Sequence, residues 1–447
     1  MNRIGLSLAL VVALLAGVEA EARDIYVSKT TGSNKGPGTK EKPYKLLWKV
    51  IAKLEEGDRV HVAEGVYNGQ KKSGVMPRLP AGDVHLIGGY KADFSGRDPF
   101  THLTVITGVA DRQADTAEVF YYAPSNPQGA KPVVIDGFCI DRGPGLYYSG
   151  KGEGGTDVKE GHKDTSCWGY QAINKKKSGS DPAIELLGKT HFVVRNNILI
   201  NNPWWGISVK AGGGEETVIE NNLILGYQGR GIEAIGGGGW GQPKFTIRNN
   251  TVAFGTTIEG RALSLDPRKS YSGGYTVEKN VLAGGAQMGI ATKFGAETLA
   301  MNNNLFFGFT QADFGDGGSP TCNAGEFEDE LECDNEGNVH EVPKFFAKVP
   351  QAWFDRWSQW KGHTSKFFTS DEVMAARKAC GLGAYELPFF PGKTYESYDK
   401  LPGGRINFCM SRFPKPFKEG EALMDWKVSV LPMIGADGER GIQPFKK

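Results

Sequence analysis

The sequence predicts an all-β solenoid, a parallel β-helix, and two observations carry that expectation. The first is a recurring phrase in which Asn precedes an aliphatic residue: Asn196-Asn197-Ile198, Asn221-Asn222-Leu223, Asn249-Asn250-Thr251-Val252, Lys279-Asn280-Val281 and Asn303-Asn304-Leu305. Its second Asn returns at steps of 25, 28, 30 and 24 residues. A repeat in that range marks a unit that hides its apolar face by stacking on its neighbours. The second observation is the short period-2 strand near each phrase: Ala183–Leu187, Gly206–Lys210, Gly231–Ile235, Ala262–Asp266 and Gly289–Lys293. Side chains alternate across a strand. Ile184, Ile207, Ile232, Leu263 and Ile290 therefore form one inward column, and Leu186, Val209, Ala234, Leu265 and Thr292 a second. Asp313-Phe314-Gly315-Asp316 fits as a sixth rung, with Phe314 extending the first column. The asparagines suit the turns, because Asn tolerates the left-handed backbone and its amide can link to another in a ladder.

Gly accounts for 62 of 447 residues, about twice its usual share, as a structure made mostly of turns requires. The formal net charge is +1, so no global field points to nucleic acid, and any recognition by charge must be local. Residues 1–22 carry Arg3, an apolar run and small residues at Ala20 and Ala22. This is the pattern of a signal peptide, removed from a secreted or periplasmic protein. That run is short for a membrane span, and no later segment is apolar enough to cross a bilayer, so membrane insertion is not expected. In an oxidising compartment six cysteines favour disulfides. The sequence-local pairings are Cys322 with Cys333 and Cys380 with Cys409, and a bridge from Cys139 to Cys167 would tie down the excursion between them. Six cysteines allow about 15 pairings, so the connectivity stays open, and no Cys/His set has zinc spacing.

Between Pro43 and Gly57, the residues Leu47, Val50, Ile51 and Leu54 fall on one helical face. An amphipathic helix there would cap the N-terminal end of the coil. The β-helix is expected over 23–318, with a Gly/Lys-rich excursion at 141–180. Residues 319–447 begin with an acidic loop and continue as an aromatic-rich region that caps the coil irregularly and wraps back along it.

Tyr26-Val27-Ser28, Gly38-Thr39, Pro43-Tyr44 and the run from Gly57 to Tyr67 follow one another in a familiar order, with Ile87-Gly88-Gly89-Tyr90 and Arg97-Asp98-Pro99 beyond them. Over residues 24–315 the chain resembles the secreted right-handed parallel β-helix proteins of the pectate-lyase-like fold, the later phrases being seen in bacterial members. The resemblance implies a right-handed coil and an extracellular or cell-wall polysaccharide as partner. It does not fix a reaction, because that fold hosts lyases, glycoside hydrolases and adhesins.

Outward positions on the aligned strands hold Glu185, Lys210, Glu233, Asp266 and Lys293, with Arg230 and Arg261 before the strands and Arg268 and Lys269 after them. Lyases of this fold remove the proton beside a uronate carboxylate, which needs a base and a positive centre for the developing charge. Lys293 or Lys210 is the candidate base, and Arg268 or Arg261 the carboxylate clamp. Glu233 and Asp266 are candidate ligands for Ca²⁺, which the resemblance implies, or else partners of the cations. Solvated charges and an Asp–Lys ladder pair are the ordinary structural alternative. Trp204, Trp205, Tyr227 and Trp240, with Lys269, are candidate substrate contacts, since aromatic faces stack on sugar rings and also cover solenoid corners. Asp313 and Asp316 would serve a hydrolase less well, lacking the phrases of polygalacturonases. The competing class is a non-catalytic adhesin-like or matrix protein.

Overall fold

The computed structural model describes residues 22–107, 118–123, 131–141, 173–348 and 433–446, apart from short stretches within them such as 71–75, 203–204, 238–240, 269–270 and 293–298. The leader therefore lies outside the described residues, as do most of the 141–180 excursion and the segment 349–432.

Three parallel sheets run the length of the coil. One full turn shows the plan: Glu216–Glu220 in a first sheet, Leu223–Tyr227 in a second, Arg230–Gly236 in a third, then Lys244–Arg248 back in the first beside its starting strand. The expected register holds strand by strand. Ile184, Ile207, Ile232, Leu263, Ile290 and Phe314 are consecutive partners, and Leu186, Val209, Ala234, Leu265 and Thr292 form the second column. All six residues of the first column have no exposed surface. The chain is a parallel β-helix.

The asparagines divide into two columns. The first Asn of each phrase takes the left-handed backbone: φ is 56° at Asn196, 55° at Asn221, 52° at Asn249 and 58° at Asn303, with Lys279 at 53° in the same place. Gly137 and Gly337 take that conformation at the two ends of the column. The second Asn points inward and is fully buried at 197, 222, 250, 280 and 304. Each amide donates to the next carbonyl oxygen along the axis, at 3.0 Å from Asn197 to Asn222, then 2.9, 3.0, 2.9 and 3.0 Å on to Asn338.

Three expectations about extent need correction. The helix spans only Leu47–Ile51, because Tyr44 is held earlier by backbone bonds to Tyr26 and Ser28; Leu47, Val50, Ile51 and Leu54 are nonetheless buried. The coil does not stop at 318, since Asp334–Glu336 and Val339–His340 add strands to the first and second sheets. No bridge joins Cys322 to Cys333, and Cys139 is a thiol whose pKa is driven up by burial. Cys167, Cys380 and Cys409 lie outside the described residues.

The end of the chain does return along the coil. Gln443 bonds Asn221 in both directions, Ile442 donates to Thr251, Gly441 donates to the Lys279 carbonyl, and Arg440 donates to the Asn303 carbonyl. Residues 433–446 thus form a strap across consecutive turns.

Candidate functional site

The outer face of the third sheet gathers many of the residues singled out by sequence. Lys210 and Asp266 share a column, with Ile235 between them. Trp205, Arg230 and Arg261 stand one above another at the starts of successive strands. The Arg230 guanidinium lies 4.7 Å above the Trp205 ring centroid, a cation–π contact.

This face is not the freely solvated row of charges that alternation alone suggests. Glu233 and Asp266 are each only 2% exposed. Glu233 takes an ion pair from Arg230 and a hydrogen bond of 2.7 Å from Ser208 Oγ, and Asp266 is 3.1 Å from Arg268. A buried carboxylate persists only with such partners. The cations stand further out: Arg230, Arg261 and Lys210 are half-buried and Arg268 is exposed.

Calcium needs six to eight oxygen ligands. Glu233 is already bound to Arg230 and Ser208, Asp266 to Arg268, and no group of three His, Cys, Asp or Glu side chains is placed to hold an ion among the described residues. The carboxylates do not fit a calcium site as they stand, so no step is derived through a metal.

Tyr227, expected at a groove rim, is instead wholly buried in the core, and burial pushes its phenol pKa far up. It joins Ile224 in the core although alternation alone would put the two on opposite faces, because Gly226, at φ 73°, breaks the alternation between them. Lys293, Lys269, Trp204 and Trp240 lie outside the described residues. Asp313 is buried against His340 and the Ala324 N–H at the end of the coil, and Asp316 accepts from Thr292 Oγ1 at 2.8 Å.

A second constellation escaped sequence reading. On the first sheet Asp136, Arg195, Glu220, Arg248 and Glu278 are consecutive register partners, alternating in sign at every turn. Asp136, buried, is held by Arg97, by Arg195 Nε at 2.9 Å and by Asn196 at 2.8 Å. With the strap they line a cleft of about 640 Å³. The signal was present: each residue immediately precedes a left-handed turn residue, so a charge before four of the five Asn phrases marks this column, with Asn302 before the fifth.

The fold thus defines the class, a parallel β-helix. No family model matches the chain, and no curated protein matches it. Among solved structures, the complex of XylC with xylose is 12% identical, with a TM-score of 0.33, covering 66% of this chain and 70% of that one. A rhamnogalacturonan lyase is 13% identical at a TM-score of 0.27, over 65% and 73% of the two chains. The GH136 lacto-N-biosidase from Eubacterium ramulus is 12% identical at 0.27, over 72% and 67%. Likenesses this distant carry no functional argument, and the architecture rests on the strand register itself.

Proposed function

We propose that the protein binds an acidic polysaccharide, a uronate polymer, along the outer face of its third sheet. The observation that carries the reading is the division of charge there. Glu233 and Asp266 are buried and paired, while Arg230, Arg261, Arg268 and Lys210 stand closer to solvent. A ligand bearing carboxylates meets cations first, and the Trp205 ring offers an aromatic surface beside them. A site of action outside the cell goes with this reading, as does the leader-like segment 1–22.

Binding of polygalacturonate and alginate to purified protein tests it. Arg261→Gln and Lys210→Gln should each weaken binding and flatten its salt dependence. Arg230 and Arg268 are poor first targets, because their loss strands the buried Glu233 and Asp266. Equal, salt-insensitive binding of a neutral polymer would sink the proposal.

Lys210 favours a second reading, cleavage by β-elimination. It shares a column with Asp266, whose partner Arg268 is the candidate carboxylate clamp. A lysine base would take the proton beside the uronate carboxylate, the guanidinium would stabilise the enolate-like charge, and the glycosidic oxygen would leave with a C=C bond forming. Lys293 is the alternative base and Arg261 the alternative clamp, with Lys269 a candidate substrate contact. Ultraviolet absorbance of unsaturated product, followed with and without chelator, separates this from the non-catalytic class. Retained binding with no product assigns the protein to the binders.

A further inference from the structure

The ladder on the first sheet is built in pairs with gaps between them. Arg195 bonds Asp136 at 2.9 Å, and Arg248 grips Glu220 through Nε at 2.8 Å and an Nη at 2.7 Å. Between the pairs the groups draw apart, to 3.9 Å from Arg195 to Glu220 and 4.0 Å from Arg248 to Glu278. Those separations are too long for hydrogen bonds. Each gap therefore presents a guanidinium donor beside a carboxylate acceptor. The two gaps lie two strands apart, roughly 10 Å at the usual spacing. Both open into the cleft closed along one side by the strap, where Phe445 covers Arg97 at 4.8 Å.

We propose that this cleft is a second binding site, specific for a neutral oligosaccharide, and independent of the third-sheet face. A hydroxyl group both donates and accepts, so one hydroxyl completes each gap by donating to the carboxylate and accepting from the guanidinium. Hydroxyls on two different sugar units reach both gaps. A uniform polyanion fits poorly, because it meets a carboxylate at every second turn. An extended peptide fits poorly too, since the backbone groups of these central strands are already paired with their neighbours. That leaves no edge for strand addition.

Calorimetric titration of the full chain with oligosaccharides of cellulose, xylan and mannan tests the site, with oligogalacturonate and an extended peptide as the competing ligand classes. At least one neutral oligosaccharide should bind, and Arg248→Met should weaken it by about tenfold or more, the loss expected of a residue central to binding. Glu278→Gln, which keeps the shape, should weaken it less. Thermal unfolding of both variants should stay near that of the parent, because part-exposed ion pairs contribute little; if Arg248→Met unfolds early, Glu278→Gln decides alone. Absence of binding by all three neutral series overturns the proposal. So does unchanged affinity in the deciding variant, or displacement of the neutral ligand by oligogalacturonate or peptide.

Discussion

Two columns of asparagine climb the same turn one residue apart, and they are held there for different reasons. The inner residues, Asn222 and Asn250 among them, are sealed from water with their amides saturated: the Asn250 amide donates to Asn280 and to the Ile219 carbonyl, and its oxygen accepts from the Asn222 amide and backbone. That position requires two donors and two acceptors in one compact planar group. The outer residues share a backbone at positive φ, which explains why Lys279 and two glycines can stand among them, and their amides bond at the surface, Asn221 to Gln443 and Asn249 to the Glu439 carbonyl. The same residue type is thus fixed by buried hydrogen-bond capacity at one position and first by conformation at the next.

The sharpest way to break this comparison is Asn250→Ala. It removes one link and leaves buried groups on two neighbouring turns without partners, so a loss of roughly 3–5 kcal/mol is expected in denaturant unfolding. Asn249→Ala should cost less, about 1–2 kcal/mol, from the left-handed backbone and the exposed bond to the Glu439 carbonyl; Asn249→Gly keeps the backbone and loses only that bond, about 1 kcal/mol or less. If Asn249→Ala proves as damaging as Asn250→Ala, the distinction fails. Lys279→Gly should gain up to about 1 kcal/mol in the same assay, its exposed pair with Glu439 contributing little.

The smallest effect concerns pH. His85, at the start of a first-sheet strand, has its pKa lowered by burial and then by Arg59 and Arg195, with Asp83 opposing. The unfolded chain therefore binds the proton more readily. Stability from this group is complete above the ordinary pKa of about 6.5 and is lost as pH falls below it. His85→Gln should show a smaller drop in melting temperature than the parent between about pH 7.5 and about pH 5.5.

Much of the interior was legible because its causes are periodic. Ile232 and Leu263 were placed by alternation and repeat length alone, and register follows from those. The outer face was not legible in the same way. Alternation sent Glu233 and Asp266 outward but could not say that they would be buried there, because burial depends on what packs over a strand rather than on the strand's own pattern. Tyr227 shows the converse: its place beside a turn suggests a surface aromatic, but the left-handed Gly226 just before it breaks the alternation and turns it inward. The parity of the cysteines likewise carried no information about where Cys322 and Cys333 would stand. The first-sheet charge ladder is visible in the sequence only as a charge one residue before four of the five Asn phrases, because its members are 25 to 30 residues apart from one turn to the next within the Asn column.

The strap gives this molecule a history as well as a shape. A solenoid's contacts are mostly between neighbouring turns, so its early coils can settle while later ones are still being made. Asn221, however, is bound to Gln443 across 222 residues of sequence. The turns carrying Asn221, Thr251, Lys279 and Asn303 acquire these partners only when residues 440–443 arrive. A chain clipped between these turns and residue 440 would hold coils without their lock.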